Sequence, residues 1–252
     1  MPKIISVANQ KGGVGKTTTA INLAAALPKN KKILVVDSDP QGNATSGFGI
    51  SSKNLSYHLY HGYSGDTTLD NIIQKTYKNH VSIVPSSIDL VAAEFEMISL
   101  DKREFRLKQL LANVSDFDYV IIDCPPSLGL LTINALVASD SVIIPMQCEY
   151  FAMEGLAQLV STIRSVKKSF NPSLYIEGLV LTMFDKRNRL THQVSEEIRK
   201  HFGERVFRNV IPRNVRLSEC PSHGLAIVDY DTQSSGAKAY TLLAKEFIKR
   251  QG

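Results

Sequence analysis

The sequence predicts an α/β fold: a single doubly wound, mostly parallel sheet with helices on both faces. Three observations carry this. Short β-branched runs recur along the chain, stretches with helical spacing lie between most of them, and a glycine-rich loop joins the first run to the first helical stretch. The runs are residues 4–8 (IISVA), 33–37 (ILVVD), 81–85 (VSIVP), 119–123 (YVIID), 141–145 (SVIIP), 177–183 (EGLVLTM) and 206–212 (VFRNVIP). Their near-continuous apolar character, without polar alternation, is that of strands covered on both faces. Residues 18–27, 154–170, 193–202 and 236–250 place apolar side chains three and four apart, the spacing of amphipathic helices. Residues 51–79 are polar and rich in tyrosine and read as a surface excursion between two strands. No repeat, low-complexity tract or Pro/Gly/Ser linker divides the chain, so residues 1–252 are expected to form one domain.

Composition narrows the class. With 43% hydrophobic and 21% charged residues, disordered, collagen-like and coiled-coil chains are excluded. No apolar run approaches the ~20 residues of a membrane span, and the N-terminus lacks a signal-peptide pattern, so a cytoplasmic location is expected. Cys124, Cys148 and Cys220 are widely spaced with no Cys-x-x-Cys and read as free, mostly buried thiols. The net charge of +5 is uneven: residues 1–150 carry 13 basic and 14 acidic side chains, residues 151–252 carry 16 and 10. A basic surplus confined to the C-terminal part is suited to a polyanion.

Residues 9–19 (NQKGGVGKTTT) have the strand-loop-helix context of a P-loop. Gly12, Gly13 and Gly15 free the backbone so that consecutive amides, Val14 among them, turn onto phosphate oxygens. The following helix adds its positive end. Lys16 is spaced to reach the β and γ phosphates, Thr17 to meet a Mg²⁺ bridging them, and Thr18 completes the nucleotide-binding run. ATP and Mg²⁺ are the expected ligands.

Two apolar runs end in carboxylates, where ligands bind in open parallel sheets. Asp37 and Asp39 lie two apart and face one side of an extended segment. Between them they can help hold a metal's water shell and orient an attacking water. Asp123 ends run 119–123 in a Walker B arrangement, a partner of Mg²⁺ through water.

The loop departs from the common P-loop at Gln10, where a glycine is usual, and adds a second lysine, Lys11. Residues 11–18 (KGGVGKTT) resemble the deviant Walker A motif of the ParA/MinD family of ATPases. That resemblance implies that Lys11 reaches across a dimer interface to the partner's nucleotide. Residues 37–43 (DSDPQGN) match the family's first switch region, in which the second aspartate, Asp39 here, is associated with hydrolysis. Residues 123–136, 142–145, 147–156 and 211–219 are similar to the chromosome-partitioning (ParA/Soj) branch, so the resemblance covers nearly the whole chain. It implies an ATP-sandwich homodimer that binds double-stranded DNA without sequence preference. A ParB-like partner would release it by stimulating hydrolysis, and the protein would be cytoplasmic and nucleoid-associated.

By the same resemblance, Lys11, Lys16 and Asp39 are the catalytic candidates, and Met183, Pro212 and Asn214 are adenine contacts. Thr17, Asp37, Asp39 and Asp123 serve the metal. Lys186, Arg187, Arg189, Arg213 and Arg216 contribute to DNA binding, with Arg187 and Arg216 favoured. Cys124 is structural, since a cluster needs four cysteine ligands. The rival reading within the family is a MinD-like ATPase recruited to membrane by a basic amphipathic tail. Residues 237–250 have that composition, but the chain ends two residues later, so packing on the sheet and no membrane binding are expected.

Overall fold

The structure, a computed structural model, describes residues 1–150 and 152–252; Phe151, inside the quoted 147–156 segment, lies outside them. The strands are β1 Lys3–Val7, β2 Ile33–Asp37, β3 Gln74–Lys75, β4 Val81–Val84, β5 Tyr119–Asp123, β6 Ser141–Gln147 and β7 Tyr175–Thr182. They form one sheet in the order β3-β4-β2-β5-β1-β6-β7, parallel throughout except for β3 against β4. The order reverses between β1 and its two neighbours, which opens a crevice at the carboxyl ends of the strands.

The helices are α1 Lys16–Ala26, α2 Asn43–Gly47, α3 Leu59–Ser64, α4 Leu69–Ile72, α5 Leu90–Glu96, α6 Arg106–Leu110, α7 Leu130–Ala138, α8 Ala152–Ser169, α9 Arg189–Phe202, α10 Arg216–Glu219, α11 Ile227–Tyr230 and α12 Ser235–Lys249. Alternation along the central strands sorts them into two layers. Ile33, Val35, Tyr119 and Ile121 pack on one face with side chains of α1, α2 and α10–α12. Leu34, Val36, Val120 and Ile122 pack on the other with α3–α9. The apolar side of α12, including Tyr240, Leu243, Ala244 and Phe247, is buried there, as its spacing predicts. Among the described residues no helix is long and apolar enough to cross a membrane. All three cysteines are free and buried, and no cluster of metal-ligating side chains is present among those residues.

Two expectations need correction. The 51–79 segment is more than a surface excursion: Leu59, Tyr63, Leu69 and Ile72 sit in the core and β3 extends the sheet. Its apolar residues belong to short helices, too brief to show a period in sequence. Residues 206–212 form no strand but touch the sheet at two bridges, Leu179 to Val206 and Phe184 to Pro212. The intervening backbone leaves the ladder because the Glu246 carboxylate on α12 accepts the Arg208 and Asn209 amides at 2.8 and 3.1 Å. Helix α7 also lies in a stretch too uniformly apolar to show a helical face by periodicity.

Gly178 sits just after a bulge, where the pairing of β6 with β7 skips Glu177. A Cβ there would lie 2.5 Å from the Phe207 ring and 2.8 Å from the Arg205 carbonyl oxygen. The Gly178→Ala variant is therefore expected to lose about 1–3 kcal/mol of stability. Denaturant unfolding checks this.

Candidate functional site

The phosphate loop is strung between the end of β1 and the start of α1, and neighbouring strand ends hold its backbone. Thr182 Oγ1 donates to the Val14 carbonyl at 2.8 Å, and Gln147 Nε2 donates to the Gly13 carbonyl at 3.2 Å. Asn9 braces the entry: its Nδ2 donates to Pro145 O at 2.7 Å, and its Oδ1 accepts the Lys11 amide at 3.0 Å. Gly13 and Gly15 adopt left-handed φ values of 72° and 89°, which side chains rarely tolerate. No atom lies within 4 Å of where a Cβ on Gly12 or Gly13 would be, so the loop stands open toward a ligand. Val14 instead turns its side chain into the core, leaving only its backbone to meet a phosphate.

The loop borders a cavity of about 430 Å³, wide enough for a nucleotide. Gly12, Gly13, Gly15, Lys16, Thr17, Thr18 and Asp39 line it, and Met183 forms part of its wall. Lys16 is buried, its ammonium donates to the Lys11 carbonyl at 3.1 Å, and burial lowers its pKa. A lysine so desolvated gains most from meeting phosphate oxygens.

The three carboxylates differ in environment. The register places Asp37 beside Asp123 at the ends of β2 and β5, both wholly buried. Thr45 occupies one oxygen of Asp37, donating from its amide and its hydroxyl at 2.7 Å each, and the Asp39 amide donates to the other at 3.3 Å. Burial still pushes the Asp37 carboxyl up to about 6. Neither oxygen of Asp123 makes a hydrogen bond of ordinary geometry, though the Thr17 hydroxyl lies close enough to act on it. Burial foremost, and then Asp37, raise Asp123 well above the usual carboxylate range, against the smaller pull of Thr17 and Lys16. Unpartnered buried carboxylate oxygens beside a threonine hydroxyl are a donor set suited to a hydrated Mg²⁺. Asp39 is buried, lines the cavity, and accepts the Gln41 amide at 3.0 Å, which fixes the first switch turn.

Lys11 behaves unlike Lys16. Its side chain is about half exposed and its ammonium pairs with Glu149, outside the loop it belongs to. Met183 holds a left-handed φ of 48°, a strain that clusters at ligand sites. Pro212 and Asn214 do not line this cavity. Asn214 Nδ2 donates to Ser235 Oγ at 2.7 Å, while its buried Oδ1 has no partner and remains an acceptor for an amino group.

The basic residues come together through the irregular 206–212 segment. The Phe184 amide donates to Ile211 O at 2.9 Å, which sets Lys186, Arg187 and Arg189 beside the stretch carrying Arg213 and Arg216. All five are exposed. Arg187 is tied only loosely, to Asp185 at 3.4 Å. Arg216 is engaged by Glu219 at 2.8 Å and Asp231 at 3.6 Å, so a polyanion must compete for it.

The cavity has further lining that the sequence did not signal: Ile21, Asn22, Ser46, Pro221 and Leu225. Ser86 is a second omission, since its hydroxyl donates to Asp39 O at 2.6 Å and its amide to Thr45 Oγ1 at 2.9 Å. Only the fold brings these groups to the motif; no local pattern marks them. The Cys124 thiol is buried and pushed up by that burial, which suits packing rather than reactivity.

The chain as a whole is similar to known proteins. A family model described as an AAA domain matches residues 2–176. The chain is 54% identical over 248 residues to the sporulation initiation inhibitor protein Soj of Bacillus subtilis, covering 98% of each chain. It is 52% identical over 250 residues to the chromosome partitioning protein ParA of Myxococcus xanthus, covering 98% of this chain and 88% of the relative. Among solved structures, a Mycobacterium smegmatis protein described as cobyrinic acid a,c-diamide synthase, with bound ATP analogue and magnesium, superposes with a TM-score of 0.87. Its identity is 35%, covering 100% of this chain and 96% of that one.

Because burial disfavours the charged form of Asp123, Asp123→Asn is expected to stabilise the nucleotide-free, metal-free protein wherever that carboxyl ionises, by on the order of 1 kcal/mol. The sign follows from the raised carboxyl: protonation relieves the same charge, so the advantage shrinks on acidification. Thermal unfolding across pH checks this, and Mg²⁺-ATP is expected to protect the wild type more than the variant.

Proposed function

The chain belongs to the ParA/Soj family of chromosome-partitioning ATPases, and from that premise we propose that it is an ATP-controlled DNA-partitioning switch working as one domain. ATP and Mg²⁺ are its ligands. In this reading the loop amides and Lys16 hold the β and γ phosphates. Thr17 and Asp123 hold the metal's shell, with Asp37 and Asp39 behind them. Mg²⁺ supplies charge neutralisation on the phosphate oxygens. Asp39 orients a water in line with the γ-phosphorus. Attack forms the new P–O bond, the bond to the bridging oxygen breaks, and ADP and phosphate leave.

One observation carries the switch: the two loop lysines point to different tasks. Lys16 is buried over its own loop, while Lys11 is half exposed and paired only at the surface, so one copy leaves Lys11 without a phosphate to serve. A second copy facing the crevice would receive it, which supports an ATP-sandwich homodimer. The adjoining basic segments support sequence-independent contact of that dimer with DNA phosphates. A ParB-like partner would then end the bound state by stimulating hydrolysis, which carries a cytoplasmic, nucleoid-associated location. The MinD-like alternative needs an available amphipathic face, and that of α12 is committed to the core.

The decisive experiment follows binding to a random-sequence duplex with ATP, ADP or no nucleotide over a salt series, with dimerisation measured in parallel. Binding that needs ATP, weakens with salt and tracks the dimer is expected. An ATP dimer indifferent to DNA would overturn the reading. Asp39→Ala is expected to accumulate the ATP dimer with turnover reduced at least tenfold; a variant that stays monomeric with ATP contradicts its role. Arg216→Ala is expected to keep ATP affinity while lowering DNA affinity on all sequences, with a salt slope smaller by about one.

A further inference from the structure

Helix α5 shows two unlike faces. Leu90, Ala93 and Met97 are buried beneath it, whereas Ile88, Val91, Phe95 and Ile98 form a stripe on its outer side, with Phe95 70% exposed and Ile88 63%. The spacing of three, four and three puts these four on one side of a helical path. A contiguous apolar stripe of this kind on a surface marks a binding face. Three acidic side chains border it, Asp89 and Glu96 on one side and Glu94 on the other; Asp89 also meets His58 at 3.3 Å, and Arg103 donates to the Ile98 carbonyl at 2.7 Å at the far end. From Val81 to Asp101 the chain has four acidic side chains and no lysine, arginine or histidine. Like charges meeting across a twofold axis would repel, so a second copy of this stripe is disfavoured and a basic partner is favoured.

The stripe is also joined to both carboxylate segments. Glu94 Oε1 accepts the Leu131 amide at 3.2 Å, tying α5 to the chain that follows Asp123. Just before the stripe, Ser86 bonds Asp39 O and Thr45 Oγ1, and Thr45 bonds Asp37. Tyr60 on α3 donates to Glu96 at 3.2 Å and steadies the acidic edge. Ser86, four residues before α5, thus joins the segment that leads into the helix to Asp39.

We propose that the stripe Ile88, Val91, Phe95 and Ile98, with Asp89, Glu94 and Glu96 at its margins, is the docking surface for a basic amphipathic segment of the protein that stimulates hydrolysis. The segment presents apolar side chains at helical spacing to the stripe and lysine or arginine to the acidic margins. Docking there acts on water placement through Ser86 and Glu94 without entering the nucleotide cavity. The inference rests on the reading of a ParB-stimulated ATPase.

The test compares wild type, Phe95→Ser/Ile98→Ser and Glu96→Lys with the cognate ParB-like protein and DNA present. Turnover with and without that protein, its binding to the ATP-loaded chain, and ATP-dependent dimerisation are measured. Leu242→Ser on α12, an exposed leucine away from the stripe, is the control. Partner stimulation and binding are expected to fall at least tenfold in both stripe variants. Unstimulated turnover, dimerisation and thermal midpoint should stay at wild-type values, and the control should respond fully. Wild-type stimulation retained by the stripe variants would overturn the docking surface alone. Loss of ATP-dependent dimerisation in those variants would make the stripe a contact between copies and overturn it too. Absence of stimulation in the wild type would instead remove the partner reading on which the inference stands.

Discussion

Two buried carboxylates at the ends of adjacent parallel strands are the constraint around which this molecule is arranged. The register of β2 with β5 puts Asp37 beside Asp123, each wholly buried and pushed up by that burial, with Asp37 raising Asp123 further. Such a pair is stable only if one member is satisfied internally and the other by something that arrives. Thr45 satisfies Asp37 from the start of α2 and so fixes the first switch segment. Asp123 remains open, facing Lys16 and Thr17. The site is thus unsatisfied on its own and gains when cation and phosphate enter together.

The same crevice organises what lies around it. Its walls come from the ends of β6 and β7, which grip the phosphate loop through Gln147 and Thr182, and Met183 follows directly as cavity lining. Two residues beyond Met183 the chain enters the basic 185–189 stretch, bridged to the 212–216 stretch through Phe184. Nucleotide wall and basic surface are therefore consecutive parts of one strand exit. On the opposite side of the crevice, Ser86 and Glu94 connect α5 to Asp39 and to the segment after Asp123. The basic surface adjoins the cavity wall at Met183, and the segment leading into the apolar stripe bonds Asp39 through Ser86, from different directions.

Much of the site was legible in the sequence because its chemistry is local. The glycines, Lys16, Thr17 and the strand-ending aspartates act through neighbours a few residues away, and periodicity reported most strands and the long helices. The 206–212 segment was misread because its apolar spacing is strand-like while Glu246, far along the chain, captures its amides. The 51–79 segment was undervalued because its core residues sit on helices of one or two turns. Asn214, named from a resemblance, proves to hold an unpartnered buried oxygen although it lies outside the cavity lining.

By itself the sequence determined the fold class, the phosphate loop and the carboxylates that face it, since these depend on short-range geometry and on the period of hydrophobic residues. Only the tertiary structure decided which of those carboxylates is left open, that Lys11 is held at the surface while Lys16 is buried, that two basic stretches adjoin, and that one face of α5 is uncovered. Each of these depends on which distant side chain lies within about 3 Å of a given atom. Register and packing set that proximity, and no stretch of sequence contains it.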